Sequence, residues 1–276
     1  MAPMNEVSLV ERSTLGIADA APFVVYHDVH KRFGDKVVLD GLNLEVKKGE
    51  TLVLLGRSGT GKSVALKLIL GLIRPERGDV SVAGRKVTGL PEKELARIRR
   101  HVGMVFQGGA LFDSLTVCEN VAYGLLELYR WPLDKARGRV AECLELVDLH
   151  GVEELLPGAL SGGMAKRVAI ARAIASSPEL LLYDEPTTGL DPATTDHVNE
   201  LIKNLQAKLG VTSIVVTHDL HSAFVVADRI ALLEKGRVAW IGPAHIVKDN
   251  PPDAVARFLG TEEEEEGPWR SRASSR

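Results

Sequence analysis

One octapeptide constrains the fold of this chain more than any other feature: Gly56-Arg57-Ser58-Gly59-Thr60-Gly61-Lys62-Ser63. A short apolar run, 51–55, precedes it, and an apolar segment with helical spacing follows it to about residue 72. Glycines let a backbone curl closely enough for its N–H groups to point at one anion, and the N-terminus of the following helix adds positive charge. The sequence therefore predicts a strand, a phosphate-holding loop and a helix in succession.

The side chains of this loop match the chemistry of a nucleoside triphosphate. Lys62 would neutralise the β- and γ-phosphates, and the hydroxyl of Ser63 would ligate Mg²⁺. A glycine-rich turn without a ligand is the alternative, and the complete pattern in its strand-to-helix context disfavours it. We therefore expect a nucleoside triphosphate to bind here.

The wider pattern of the chain predicts an α/β protein. Short apolar runs bounded by Gly, Pro or Asp alternate with longer segments of helical period, which is typical of a mainly parallel sheet covered by helices. Three early runs, 23–28, 42–46 and 78–82, indicate a small antiparallel layer, with a polar turn at 33–36. Apolar residues at helical spacing make 118–149 a mainly helical insert.

Composition and charge limit the kinds of molecule that the chain is expected to bind. It has 276 residues, of which 45% are hydrophobic and 26% charged, so it can bury a sizeable core. The net charge of −3 gives no positive field to attract nucleic acid, and we expect no nucleic-acid partner. Cys118 and Cys143 have neither the spacing of a zinc site nor that of a disulfide framework, which fits a reducing cytosol.

The sequence also predicts that any membrane role depends on another protein. No apolar run approaches the roughly 20 residues of a spanning helix. Acidic Glu6 and Glu11 interrupt the region where a signal segment would lie, so we expect no export by that route.

Two carboxylates, Asp184 and Glu185, follow the apolar run 179–183. Open α/β sheets bind ligands at the carboxyl ends of their strands, so this is a functional position. Asp184 would hold Mg²⁺ through its water shell, and Glu185 would orient or deprotonate the attacking water. An acidic N-cap near Pro186 is the alternative, but capping explains one carboxylate better than two.

Two more apolar runs end in polar residues: 102–106 precedes Gln107, and 212–217 precedes His218 and Asp219. In one parallel sheet these side chains would meet Lys62 and Glu185 at a single edge, as cleavage of a γ-phosphate requires. Taken alone, His218 fits a structural histidine, or a metal site with Asp219 and His221 that lacks further spaced ligands. Its companions make it a catalytic candidate.

A second helix start suited to an anion lies at Leu160-Ser161-Gly162-Gly163-Met164. The loop at 56–63 already supplies a phosphate cradle, so a second cradle about a hundred residues later needs another nucleotide. A second copy of the chain would supply it. Without the other motifs, an ordinary serine N-cap would be the better interpretation.

In order and spacing, these motifs closely resemble those of the ATP-binding subunits of ABC transporters over about 23–247. The resemblance implies the phosphate-loop NTPase fold of the ABC ATPases, with a mainly parallel sheet, a small antiparallel layer and a helical subdomain. Its implied ATP contacts are Phe33 stacked on adenine, the Walker A residues 56–63, the signature residues Ser161, Gly162 and Gly163, and Asp191 of the D-loop. The implied catalytic residues are Glu185, His218, Gln107 and Lys62, and the implied Mg²⁺ ligands are Ser63, Gln107 and Asp184.

The resemblance also implies an assembly. Two chains would form a head-to-tail homodimer around two ATP molecules, on the cytoplasmic face of the membrane beneath a separate permease. We expect an N-terminal extension over 1–21, the ATPase domain over 22–260 with its helical insert at about 108–165, and an acidic then basic disordered tail over 261–276. The signature ends in Met164 where the family usually has glutamine, which leaves the backbone cradle intact.

Within the family, 106–121 and 161–167 are most similar to the Mla-type ATPases of phospholipid trafficking, which implies lipid transport with MCE-type and small regulatory subunits. Importers of amino acids or other small solutes and lipoprotein-release systems share nearly all the same motifs and are the alternatives. ATPases of DNA repair or translation carry long coiled coils or two fused cassettes, neither of which occurs here. A small GTPase would need an Asn-Lys-x-Asp motif, which the chain lacks.

Overall fold

The computed structural model describes residues 22–249 and 251–266, which form two β-sheets and their covering helices. The strands are β1 (Pro22–Phe33), β2 (Lys36–Lys47), β3 (Thr51–Leu55), β4 (Arg77–Val82), β5 (Arg85–Lys86), β6 (Val102–Val105), β7 (Leu180–Asp184), β8 (Thr212–Thr217), β9 (Arg229–Glu234) and β10 (Arg237–Pro243). The helices are α1 (Lys62–Ile69), α2 (Glu92–Arg99), α3 (Val117–Glu127), α4 (Leu133–Leu146), α5 (Gly162–Ile174), α6 (Pro192–Leu209), α7 (Leu220–Val226), α8 (Ala244–Asp249) and α9 (Asp253–Glu266), with a 3-10 turn at Pro157–Ala159.

The larger sheet has the order β10-β9-β3-β8-β7-β6. All neighbouring strands in it are parallel except the edge pair β9 and β10. Every residue of β3, β7 and β8 is buried, as expected for strands with helices on both faces. The predicted mainly parallel sheet is therefore confirmed, and the polar residues after β3, β6, β7 and β8 lie at one edge.

The smaller sheet has the order β2-β1-β4-β5 and is antiparallel, which confirms the predicted layer. Its first two strands are longer than predicted and meet in a two-residue turn at Gly34 and Asp35. The buried hydroxyl of Tyr26 donates a 2.9 Å hydrogen bond to the carbonyl of Ala65, which fastens this sheet to α1. The layer is thereby held against the helix that follows the phosphate loop.

The helical insert consists of α3 and α4, separated by a break before Leu133 that contains Pro132. Asn120, fully buried in α3, fixes the segment before that helix. Its Oδ1 accepts from the N–H of Phe112, and the two hydrogens of its Nδ2 are shared among the carbonyls of Phe112, Leu115 and Thr116 at 3.0–3.1 Å. The carbonyls of Phe112 and Thr116 also accept from backbone N–H groups, so the N–H of Phe112 and the carbonyl of Leu115 depend most on this side chain.

Because the N–H of Phe112 and the carbonyl of Leu115 lose this partner together, we expect Asn120→Leu to lower the free energy of unfolding by roughly 2–4 kcal/mol. Urea denaturation checks this, with Asn204→Leu as the control because Asn204 is exposed on α6. Equal midpoints for the two variants would contradict the stabilising role of Asn120.

The C-terminal helix α9 extends beyond the predicted end of the domain at residue 260. The backbone is helical over 261–266, where the sequence predicted a disordered tail. Buried Val255 and Phe258 attach the helix to the core, and the glutamates that follow are good helix formers. The predicted tail over 267–276 and the predicted extension over 1–21 lie outside the described residues. In the part of the chain that is described, no helix has the length and apolar character needed to cross a membrane.

Candidate nucleotide-binding and hydrolytic site

At two positions, the loop between β3 and α1 packs so closely against neighbouring strands that only glycine fits. Gly61 has a φ of 104°, and a Cβ there would lie 2.7 Å from Leu39 Cδ2. A Cβ at Gly56 would lie 2.5 Å from the carbonyl oxygen of Leu233. Larger residues would push the loop off the sheet edge, so these glycines give the loop the tight curvature that the sequence predicted.

Lys62 is buried inside this loop, with 5% of its surface exposed. Its Nζ donates to the carbonyls of Gly56 at 2.6 Å and Arg57 at 3.1 Å, and it lies 3.8 Å from Oε1 of Glu185. A buried ammonium among backbone carbonyls and a carboxylate is a strong point of attraction for a phosphate.

Ser63 and Asp184 meet at the same edge, where the hydroxyl of Ser63 donates a 2.7 Å hydrogen bond to Oδ1 of Asp184. Both are hard oxygen donors beside the phosphate loop. Mg²⁺ usually takes only one or two protein oxygens and completes its shell with water and phosphate, so this pair fits that ion. The described residues contain no cluster of three or more His, Cys, Asp or Glu that could hold a metal.

Glu185 is held by contacts from three directions. Its backbone lies in the left-handed region, with a φ of 50°, and its N–H donates to the carbonyl of Val216. Oε2 accepts from the hydroxyl of Thr188 at 3.1 Å and lies 2.9 Å from Nδ1 of His218, while Oε1 faces Lys62. Strained backbone of this kind persists where the surroundings fix it, often at reactive sites. The carboxylate is thus oriented next to the lysine.

Gln107 lies exposed after β6, and its carbonyl accepts a hydrogen bond from the ammonium of Lys166. The same ammonium donates to the carbonyl of Glu185 at 3.4 Å. Burial lowers the pKa of Lys166, and the carboxylates of Glu185 and Asp184 oppose this shift. Lys166 therefore joins the ends of β6 and β7.

Arg172, six residues further along α5, extends this attachment. It donates to the carbonyls of Gly109 and Ala110 at 2.7 and 2.6 Å. Neither Lys166 nor Arg172 was predicted from the sequence. A signal was nevertheless present in the sequence, because both cations lie in a segment rich in small apolar residues, as is typical of a buried helix. A cation on such a helix needs a partner inside the protein.

The signature residues lie at an exposed helix start. Ser161 caps α5 by accepting from the N–H of Met164 at 3.2 Å, and Ser161 and Gly162 face solvent. Gly163 packs so closely on α6 that a Cβ would lie 2.4 Å from Cγ2 of Thr194. Asp191 caps α6 through the N–H and hydroxyl of the same Thr194, and these bonds lower the pKa of its carboxyl group. The signature and Asp191 thus form one continuous surface.

Phe33 lies at the end of β1, half-exposed, with Nζ of Lys31 5.0 Å from its ring centroid. The turn that follows comes close to the phosphate loop, because Nζ of Lys36 lies 3.8 Å from the position of a Cβ on Gly59. Phe33 is thus an exposed aromatic ring next to the turn that approaches the phosphate loop. Lys36 is a second cation close to the phosphate loop, and it was not predicted from the sequence.

A lysine-lined glycine loop, a paired hydroxyl and carboxylate, and an oriented glutamate at one edge of a parallel sheet define the class of phosphate-loop nucleoside triphosphatases. Comparison with known proteins gives the family. The model of the ABC transporter family matches residues 39–188, so the chain belongs to the ATP-binding ATPases of that family.

Its relatives are similar over most of the chain. The methionine import ATP-binding protein MetN of Leifsonia xyli is 44% identical, covering 87% of this chain and 72% of the relative. MetN of Brucella abortus is 40% identical, covering 88% of this chain and 65% of the relative. The chain thus spans about two thirds to three quarters of these relatives. Their names match the amino-acid-importer alternative of the sequence analysis and not the phospholipid interpretation.

Solved structures agree with the fold. The dimeric ATP-binding cassette MJ0796 in a post-hydrolysis state bound to ADP and Pi has a TM-score of 0.74 and 37% identity, covering 80% of this chain and 98% of that one. The cassette cbiO1 of Clostridium perfringens, part of the transporter complex cbiONQ, has a TM-score of 0.77 and 27% identity, covering 89% of this chain and 97% of that one.

Proposed function

We propose that this chain is the ATP-hydrolysing subunit of an ABC importer for a small solute such as an amino acid, and that it drives a separate permease at the cytoplasmic face of the membrane. The observation that carries the hydrolytic part is the contact of Glu185 with Lys62 on one side and His218 on the other. The methionine-importer relatives support the substrate class.

Each residue has a distinct role in this proposal. Lys62 and the N–H groups of the loop bind the phosphates, and Glu185 orients and deprotonates the attacking water while His218 holds its carboxylate in place. Ser63 and Asp184 would hold Mg²⁺, which on binding neutralises charge that develops on the phosphate oxygens. Gln107 stands at the same edge, and we assign it to the sensing of the γ-phosphate and its ion.

The proposal includes a dimer because the predicted ATP contacts fall into two separate sets. The loop, the carboxylates and His218 gather at the edge of the sheet. Ser161, Gly162 and Asp191 lie on the other surface, around the starts of α5 and α6. A head-to-tail arrangement would place this second surface against the nucleotide of another copy. The dimeric structure of the similar cassette MJ0796 supports a dimer.

An apolar groove of about 620 Å³ between β6, α2 and α3 is the proposed contact for the permease. Phe112 and Tyr123 line it with ring centroids 4.7 Å apart, and Phe106 and Leu128 add further exposed apolar surface. Phe106 directly precedes Gln107, so a permease segment in this groove would respond to changes at the phosphate edge.

A second candidate substrate is a phospholipid. Residues 106–121 and 161–167, including Met164 in the signature, resemble the ATPases of lipid trafficking. The relatives therefore favour an amino acid, whereas the two motif segments favour a phospholipid. A single experiment that measures the transport of both substrates can separate the two candidates.

We expect the complex of this chain with its copurified permease, reconstituted in proteoliposomes, to transport labelled methionine when ATP is supplied. The same vesicles carry a labelled phospholipid, so that lipid transfer is measured in parallel. Transport has to disappear in the complex that carries Glu185→Gln. ATP-driven lipid transfer without methionine uptake would reject the importer and favour the second candidate, and neither activity in a hydrolysing complex would reject both substrates.

A further inference from the structure

We propose that Ser222 is a positioning residue for Glu185 and His218, an inference that rests on the roles proposed above for that pair. Ser222 lies in the first turn of α7 and is buried. Among the described residues, the side-chain hydrogen bonds of Ser222 go to Thr187, Asn199 and Asp219, none of which is predicted to bind ATP. Its effect on hydrolysis would act through the two loops that it joins.

The hydroxyl of Ser222 is the centre of a buried hydrogen-bond network. It donates to Oδ2 of Asp219 at 2.5 Å, accepts from Nδ2 of Asn199 at 2.9 Å, and lies 3.2 Å from the hydroxyl of Thr187. A serine hydroxyl has one donor hydrogen and two acceptor positions. The hydroxyl hydrogen of Ser222 is donated to the carboxylate of Asp219, so in the contact with Thr187 it is the hydroxyl of Thr187 that donates. The one donor and both acceptor positions of Ser222 are therefore used.

Two of these partners adjoin the hydrolytic pair in the chain. Thr187 comes two residues after Glu185, and Asp219 directly follows His218. Ser222 therefore links the loop after β7 to the loop after β8, at a point behind the 2.9 Å contact between Glu185 and His218. The strained backbone of Glu185 makes such support necessary, because a left-handed conformation relaxes if its loop is free to move.

Asn199 ties the network to α6. Its side chain is fully buried, and Oδ1 has no hydrogen-bond partner among the residues that the structure describes. Its hydrogen bonding at this place therefore comes from Nδ2, which donates to Ser222. The bond from Nδ2 to Ser222 therefore anchors the network to α6.

We expect Ser222→Ala to lower kcat for ATP hydrolysis about tenfold while KM for ATP stays within about twofold, because the pair is displaced but the phosphate loop is intact. The matched control is Ser213→Ala in β8, which removes another buried hydroxyl, one without a partner in the described part of the chain. This control should keep its kcat. Equal kcat for both variants, or a loss of kcat in the control as large as that in Ser222→Ala, would overturn the proposal.

A double-mutant test separates positioning from a general loss of stability. In a His218→Ala background, Ser222→Ala should lower kcat by less than twofold more, because the contact that it supports is already gone. An undiminished tenfold loss in that background would contradict the inference. If Ser222→Ala does not fold, Thr187→Val serves in its place, since it removes one bond of the network with little change in volume.

His218→Ala alone distinguishes a failure of the proposed hydrolytic pair from a failure of the positioning role of Ser222. Full activity in that variant would reject the proposed role of the pair, and this inference with it. Reduced activity in His218→Ala together with normal activity in Ser222→Ala would reject the positioning role alone.

Discussion

Replacing Glu185 with glutamine lowers the rate of ATP hydrolysis by about a hundredfold or more, since a positioned general base contributes roughly 10²–10⁴-fold. The amide has nearly the same shape as the carboxylate, but it cannot take a proton from water. Ser63 and Asp184 are unchanged, and so is Lys62, so the variant still binds ATP. We expect it to accumulate as an ATP-bound dimer, seen by size-exclusion chromatography with nucleotide.

The control is Glu179→Gln. Glu179 directly precedes β7, at the end of that strand opposite to Glu185, and its exposed carboxylate pairs with His101. It removes an equal charge from the chain and should hydrolyse ATP at the normal rate. A Glu185→Gln protein with full activity would show that another group acts on the water.

Replacing Lys62 with alanine raises the Kd for ATP by roughly one to two orders of magnitude, because each lost charged hydrogen bond is worth about 1.5–3 kcal/mol. The phosphates lose the buried cation at the centre of the loop. Glu185 also loses the ammonium 3.8 Å away, so the remaining site repels an anion more strongly. Titration with a fluorescent ATP analogue measures the change.

The neighbouring Lys67→Ala serves as the matched control, because Lys67 stands exposed on the same helix, α1. It changes the net charge equally and should bind ATP normally. Thermal unfolding of both variants shows whether the loop survives. Unchanged affinity in a folded Lys62→Ala protein would reject the assignment of this loop to phosphate binding.

The sequence was sufficient to predict the class of the fold and the edge of the sheet where the site lies. Strand ends are predictable because apolar runs stop abruptly at polar residues such as Gln107 and Asp184, and parallel strands bring those ends together. Element lengths were less predictable. The first helix stops at Ile69, three residues before its predicted end, because Gly71 adopts a φ of 61° and turns the chain.

The contacts that hold the site together could not be predicted in the same way. Lys166 and Ser222 act on backbone or side-chain groups that are 19 to 59 residues away in the chain. No local pattern records such pairs, and both residues occur in ordinary helical segments. The left-handed conformation of Glu185 was equally hidden, since glutamate has no preference for it.

The attachment of the 107–110 segment to α5 has a consequence for how two copies would work together. Lys166 and Arg172 fix that segment to the helix whose first turn carries Ser161. In the proposed head-to-tail dimer, whatever displaces Gln107 at one nucleotide would also displace the surface that the same copy offers to the other nucleotide. The two sites of such a dimer would therefore respond to ATP together, through contacts inside each copy.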